Sequence, residues 1–191
     1  MPNLTLWNEA NTLWFAFMLY FLAQYREIRP KAIGVVSHFS WERLCLLLSV
    51  PLVFFPVTHL GALAIRFHHS RSAERIGFIL VIVGLAFSAW ARDLLGRNWS
   101  GRVVIQSGHQ LVTAGPYAYI RHPLYTGLLV GMVGMVLLCG HMGSLPGLCF
   151  AIGFTWLKAK REERLLEGEF GPAYAVYRLH TGALLPRLSH V

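Results

Sequence analysis

The densest group of residues able to do chemistry lies in residues 115–127. Arg121, His122 and Tyr125 occur there beside Pro123, which favours the first turn of a helix and biases the preceding residue towards extended backbone. A helix that begins here presents free backbone N–H groups beside an imidazole and a guanidinium, which suits a carboxylate ligand. The same residue types are also typical of an ordinary anchor at the mouth of a membrane helix.

A second candidate group lies in residues 158–166, which read KAKREERLL. Lys158 and Glu162 are spaced i,i+4, so a helix places them on one face. In a functional interpretation, the Glu162 carboxylate accepts hydrogen bonds from a ribose diol or an amine. In the alternative, the two residues form a surface ion pair that contributes about 0.2–0.5 kcal/mol.

The histidines and cysteines give no metal-binding pattern. The chain has nine histidines without an H-x-x-x-H spacing, and its three cysteines lie in apolar runs without a C-x-x-C spacing. The formal charge of +8 is not accompanied by a motif for nucleic-acid binding. We therefore expect neither a metal nor a nucleic acid as a partner.

We expect apolar helices to carry these candidate residues. Of the 191 residues, 55% are hydrophobic and only 14% are charged, whereas soluble domains carry about a quarter charged residues. Residues 6–25, 44–65 and 76–95 each have the length of a transmembrane helix. The uncharged run 124–157 would be about 51 Å long as one helix, so we expect it to fold back at residues 140–147. A re-entrant hairpin is the alternative for this run.

The distribution of cations predicts the orientation. Fourteen of the 17 Lys and Arg residues fall in alternate connections, the ones before the second span, after the third and after the hairpin. The positive-inside rule then gives five crossings, with the N-terminus outside and the C-terminus in the cytoplasm. The prediction is an all-α integral membrane protein. Its single domain comprises three spans (1–95), a cytoplasmic connector (96–123), a tight hairpin (124–157) and a cytoplasmic tail (158–191) that completes the site.

The motifs along the second half resemble, in order, those of the isoprenylcysteine carboxyl methyltransferases and their prokaryotic relatives. They are LGRNWS at 95–100, GHQLV at 108–112, GPY at 115–117, RHPLYTG at 121–127, EERLL at 162–166, FG at 170–171, Tyr174 and Tyr177. The resemblance extends over residues 95–186. The RHPxY motif alone is shared with phospholipid N-methyltransferases, whereas the whole ordered series is specific.

The resemblance implies an all-helical membrane enzyme that uses S-adenosylmethionine. Carried over by position, the cofactor contacts are Gln106, His109, Gln110, Leu111, Val112, Tyr117, His122, Pro123, Leu124, Tyr125 and Glu162. We interpret Arg121, Lys158 and Glu162 as the catalytic set, with Arg121 and Lys158 orienting the acceptor. The family pattern has an arginine where this chain has Lys158, and a lysine offers a point charge instead of a bidentate fork.

The compact chain resembles the prokaryotic branch of the family, for which prenylated proteins are not the expected acceptor. This resemblance implies a location in the prokaryotic inner membrane. We therefore expect a monomeric enzyme that methylates a lipid-like or prenylated small molecule at a carboxylate. Two alternatives remain at this stage. One is a phospholipid amine N-methyltransferase, and the other is a non-enzymatic membrane protein that binds quinone, haem or a partner.

Overall fold

The computed structural model of the protein describes residues 3–27, 50, 52–54, 65–67, 70–96 and 111–187. Five α-helices have both ends within this part: α1 (Leu4–Glu27), α2 (Arg71–Leu95), α3 (Pro123–Cys139), α4 (Leu145–Phe170) and α5 (Pro172–His180). Two short 3-10 helices, Gly115–Ala118 and Met142–Ser144, precede α3 and α4. No strand occurs among the described residues, in agreement with the predicted all-α class.

Helices α2 and α3 form the main packing contact, and glycines bring their backbones together. A Cβ added at Gly84 would lie 2.5 Å from the Gly127 carbonyl oxygen, and one at Gly77 would lie 2.7 Å from that of Gly134. Small residues allow this approach, as they do between membrane helices in general. Ser88 extends the contact by donating a hydrogen bond of 2.9 Å to the carbonyl of Leu124. The contact therefore fixes where the first turn of α3 lies.

We expect Gly84→Ala to destabilise the protein by about 1–3 kcal/mol, because the new methyl group would overlap backbone atoms of α3. Gly153→Ala is the matched control, since a Cβ there meets no atom within 4 Å. The control should be neutral or stabilise α4 by up to about 1 kcal/mol. Thermal unfolding in detergent measures both. Equal melting temperatures for the two variants would contradict the close α2–α3 packing.

The sequence correctly predicted that the apolar run 124–157 breaks near residue 140. Helix α3 ends at Gly140, which has φ 66° in the left-handed region and donates its N–H to the Val136 carbonyl. The 3-10 turn follows, and α4 begins with Pro146 in its first turn. Residues 65–67 pair with this turn, because Phe67 N–H donates to the Gly140 carbonyl at 3.2 Å.

The polar half of α4 continues the hairpin arm without a break, as the sequence predicted. The helix ends at Gly171, whose φ of 49° and ψ of −122° favour glycine. Pro172 begins α5, and the Tyr177 hydroxyl donates a hydrogen bond of 2.7 Å to the Tyr117 carbonyl. The Gly171–Pro172 pair therefore separates α4 from α5.

In the described part of the chain, one helix has the length and hydropathy to cross a membrane. It is α2, and α3 is apolar but shorter, with 17 residues. The predicted first span coincides with most of α1, whereas the predicted second span, 44–65, falls largely outside the described residues, as do residues 97–110 of the connector.

Candidate functional site

His122 is held at the start of α3 by its own backbone. Its N–H donates a hydrogen bond of 3.0 Å to the Ala183 carbonyl, and Arg121 N–H donates one of 2.8 Å to Gly182. His122 has φ −125° and ψ 56°, outside the α-helical region that is disfavoured for a residue before proline. No side chain caps the helix. The first turn of α3 therefore begins next to a fixed imidazole.

Two adjacent carboxylates of α4 lie on either side of the His122 ring. Nδ1 is 3.5 Å from an oxygen of Glu162, and Nε2 is 3.4 Å from an oxygen of Glu163. Successive helical residues point about 100° apart, so both can reach one ring only if it lies between them. The His122 side chain is 4% exposed, and its Nε2 forms no well-aligned hydrogen bond within the described structure. The ring is thus buried between two acids.

This arrangement favours charged forms of all three groups. Burial alone would lower the pKa of His122, but its contacts with Glu162 and Glu163 outweigh burial and raise the pKa. Burial likewise opposes ionisation of Glu163, yet His122 and Arg121 lower its pKa to about 2. The pKa of Glu162 is also lowered, because His122, Lys158 and Tyr125 together outweigh its burial. The arrangement therefore favours an imidazolium at His122 between two carboxylates.

Tyr125 joins the cluster from one turn further along α3. Its hydroxyl donates a hydrogen bond of 2.6 Å to Glu162, and its ring stacks on that of His122 with 5.7 Å between centroids and 11° between planes. The Lys158 ammonium lies 5.3 Å from the centroid of the Tyr125 ring. The structure thus brings together four predicted site residues, His122, Tyr125, Lys158 and Glu162.

Arg121 faces the other acid and the chain after α5. Its Nε donates a hydrogen bond of 2.7 Å to Glu163, and its terminal nitrogen donates to the Thr181 carbonyl. Tyr174, which packs nearby, is fully buried and has a raised pKa, caused first by burial and then by Glu163. These contacts give Arg121 a role in joining α4 to the chain that follows α5.

The acid dependence of stability should report on Glu163. Because the pKa of Glu163 is lowered, its contribution to stability is fully present above the ordinary glutamate value of 4.5 and is lost as the pH falls towards about 2. We expect Glu163→Gln to be less stable than the parent protein by up to about 3 kcal/mol at neutral pH, with the difference vanishing as both are acidified. Melting temperatures between pH 7 and pH 3 measure this convergence.

Glu167→Gln is the control, because that carboxylate pairs with Arg178 at 3.1 Å but is 48% exposed. The Glu167→Gln substitution should change the free energy of unfolding by less than about 1 kcal/mol at every pH. A constant difference between Glu163→Gln and the parent across the pH range would contradict the assignment.

The other predicted cofactor residues either lie in the described part of the chain or fall outside it. Tyr117, Leu124 and Tyr125 are members of one buried cluster, and Val112 packs against it. Pro123 is fully buried at the first position of α3, and Leu111 is half-buried. Gln106, His109 and Gln110 lie outside the described residues.

Comparison with known proteins finds a family whose members resemble the segment that holds this site. Residues 76–167 match the Isoprenylcysteine carboxyl methyltransferase (ICMT) family, and this range includes His122, Tyr125 and the Glu162–Glu163 pair. Over this segment, the chain is similar to the ICMT family. The resemblance in the sequence motifs is therefore confirmed.

Among similar proteins, the cobalt-zinc-cadmium resistance protein CzcN of Cupriavidus metallidurans is 31% identical over 129 residues, which cover 66% of this chain and 58% of that protein. A probable protein-S-isoprenylcysteine O-methyltransferase of Oryza sativa subsp. indica is 30% identical over 112 residues, covering 56% and 59%. The chain thus spans a little over half the length of these relatives.

The fold is that of a solved ICMT structure. A eukaryotic intramembrane Ras methyltransferase ICMT superposes with a TM-score of 0.67 at 23% identity, covering 97% of this chain and 68% of that one. The helical arrangement described above is therefore the ICMT fold.

Sequence reasoning missed two components of the site. It singled out Glu162 but not Glu163, which contacts both His122 and Arg121. The signal was present in the two consecutive acids one turn after Lys158. It also missed the pairing of residues 119–122 with 182–184, because single β-bridges leave no alternating pattern in the sequence.

Proposed function

We propose that this protein transfers a methyl group from S-adenosylmethionine to a carboxylate on a lipid-like or prenylated acceptor. The observation that carries the proposal is the His122–Glu162–Tyr125 cluster, which lies in the matched segment and joins the start of α3 to the polar half of α4. The position of this cluster at a helix N-terminus, with a carboxylate opposite, suits a ligand that bears both a carboxylate and an ammonium group.

The residues present fit this cofactor. The first-turn N–H groups of α3 and the buried Nε2 of His122 are donors suited to its carboxylate, and Glu162 is an acceptor suited to its ammonium or ribose diol. Tyr117, Leu124 and Val112 supply apolar surface beside them. Leu111, Pro123 and the connector residues Gln106, His109 and Gln110 complete the proposed set. S-adenosylmethionine supplies a methyl group that is already activated as a sulfonium.

The charge states favour a carboxylate acceptor over an amine. A carboxylate is already nucleophilic, so the protein needs to orient it and exclude water, and orientation can contribute about 7–11 kcal/mol. An ammonium acceptor would first require a base. His122 is poorly suited because its raised pKa favours the protonated form, and the lowered pKa of Glu162 makes that group a weaker base. This observation favours O-methylation over the phospholipid N-methyltransferase alternative.

We further propose that the protein spans the membrane with this site on the cytoplasmic side. The excess of cations in the connections on that side supports this orientation. The intramembrane location stated for the solved ICMT supports the placement of the protein in the membrane. Thiol labelling of single cysteines tests it. A cysteine introduced at residue 71 should react from outside intact cells, and one at residue 185 should react only after permeabilisation.

The central experiment uses cofactor labelled in its methyl group, membranes that contain the protein, and total lipid extract. We expect label in a lipid-soluble product that mild alkali releases as methanol, which is the behaviour of a methyl ester. Label that resists alkali and travels with phospholipid headgroups would favour N-methylation instead. No labelled product, and no cofactor binding by folded protein, would favour a non-enzymatic role.

Lys158 should act on the acceptor and not on the cofactor. Its ammonium lies on the Tyr125 ring near Glu162, where it can pair with an incoming carboxylate. Lys158→Ala should lower turnover at least 10-fold while cofactor affinity changes less than about threefold, since a charge-assisted hydrogen bond is worth about 1.5–3 kcal/mol. Lys158→Arg should retain activity, because its fork can pair with both oxygens. Initial rates and isothermal titration measure the two effects.

The control for this experiment is Lys160→Ala, two residues along α4, where the ammonium lies over Trp156 instead. If Lys158→Ala weakens cofactor and acceptor binding equally, Lys158 is only an ion-pair partner of Glu162. Arg121 is less suited to the acceptor role that its sequence position predicted, because its Nε donates to Glu163 and one terminal nitrogen donates to Thr181.

A further inference from the structure

A groove of about 370 Å³ runs along the face of α4 next to the His122 cluster. Helix α4 lines it with residues spaced by three or four positions, and α5 closes it with one arginine. The charged and aromatic side chains that line the groove are those of Arg121, Trp156, Lys160, Glu163, Arg164, Glu167 and Arg178. The proposed methyl transfer uses none of its solvent-facing cations.

The charges in the groove do not cancel. Glu163 is paired with Arg121 at 2.7 Å and with His122, and Glu167 is paired with Arg178 at 3.1 Å. No carboxylate of the described residues forms an ion pair with Lys160 or Arg164, which both lie on the exposed side of α4. Two positive charges therefore remain in a concave surface, where an anion can neutralise them.

One end of the groove is apolar. The Trp156 side chain is 49% exposed, and Ile152, one turn before it, is 48% exposed. The Lys160 ammonium lies 4.9 Å from the centroid of the Trp156 ring. Exposed tryptophan beside lysine marks the level at which a membrane protein passes from hydrocarbon to headgroups. The surface thus changes along α4 from apolar to cationic within two helical turns.

We propose that this groove binds the headgroup of an anionic phospholipid. Lys160 and Arg164 would hold the phosphate, and an acyl chain would lie against Trp156 and Ile152. A zwitterionic lipid is disfavoured because its own ammonium would meet the same two cations. The inference rests on the membrane placement proposed above, although not on the identity of the methyl acceptor.

The test compares two short-chain lipids added to the protein in a neutral detergent. Dihexanoyl phosphatidylglycerol should raise the melting temperature in a saturable way, and dihexanoyl phosphatidylcholine should not. Lys160→Gln combined with Arg164→Gln should weaken phosphatidylglycerol binding about 30-fold, since each basic residue near an anionic lipid contributes a factor of about five. Lys160→Arg with Arg164→Lys retains both charges and should bind within about threefold of the parent.

A charge-matched control is available at the opposite end of the molecule. Arg71 and Arg75 are both exposed in the first turns of α2, and replacing both with glutamine removes the same net charge. This variant should bind phosphatidylglycerol like the parent. Equal losses in the two double variants, or equal affinity of the parent for both lipids, would overturn the proposal. Inorganic phosphate that gives the same shift at equal concentration would make the site one for free anions and would also overturn it.

The same samples separate this inference from the proposed function. S-adenosylhomocysteine should stabilise the parent and the groove variant alike. A shift with S-adenosylhomocysteine but none with phosphatidylglycerol rejects the lipid site alone, whereas the reverse result rejects the cofactor site alone.

Discussion

Replacing Glu162 with glutamine should weaken binding of S-adenosylhomocysteine about 10- to 100-fold, because a hydrogen bond to a charged acceptor contributes about 1.5–3 kcal/mol. Glutamine keeps an oxygen for the Tyr125 hydroxyl, which donates to Glu162 at 2.6 Å in the parent protein. The substitution therefore removes the negative charge and leaves most of the packing. Isothermal titration in detergent measures the affinity directly.

Glu169→Gln provides the comparison, since this residue lies on the same helix but is exposed. It should bind S-adenosylhomocysteine like the parent protein. Parent-like affinity in Glu162→Gln as well would remove Glu162 from the cofactor site. An equal loss in both variants would mean that the net charge of α4 matters and not the position of Glu162.

Replacing His122 with alanine should reduce the free energy of unfolding by about 3–5 kcal/mol at neutral pH, because breaking a buried ion pair leaves uncompensated charge. The parent imidazole lies within 3.5 Å of both Glu162 and Glu163. Without it, two carboxylates of α4 face the start of α3 with no cation between them. Chemical unfolding followed by circular dichroism measures the loss.

The pH dependence of this loss has a defined sign. The pKa of His122 is raised, so its stabilising contribution is fully present below 6.5 and is lost as the pH rises through the higher value in the folded protein. The difference in the free energy of unfolding between the parent protein and His122→Ala should therefore become smaller under alkaline conditions. His180→Ala, at the exposed end of α5, should change stability by less than about 0.5 kcal/mol. A similar loss at both histidines would indicate a general effect of removing the ring.

Local signals in the sequence were sufficient to predict several elements. Glycine and proline at 140–147 and 171–172 end or begin helices through their own backbone preferences, so the hairpin turn and α5 could be placed without tertiary information. The i,i+4 spacing of Lys158 and Glu162 likewise placed both residues on one face of α4, and the structure shows that both contact Tyr125.

The parts that could not be predicted depend on contacts between distant segments. That Arg121 binds Glu163 and Thr181 follows from how α4 and the chain after α5 pack against α3. The glycines of α2 and α3 are visible in the sequence, but their register across the interface is not. Local preference fixes where helices end, whereas side-chain partners follow from the packing of whole helices.

The pairing of Tyr117 and Arg121 with partners 60 residues later has a consequence for biosynthesis. Ribosomes add about 5–20 residues each second, so the start of α3 is made roughly 3–12 seconds before the chain that binds it. At the end of that interval, His122 still lacks its partner Ala183, even though Glu162 and Glu163 of α4 have already been made. The proposed cofactor site therefore cannot close until the segment after α5 has been made. A newly made copy should become able to bind cofactor only after α5 has docked.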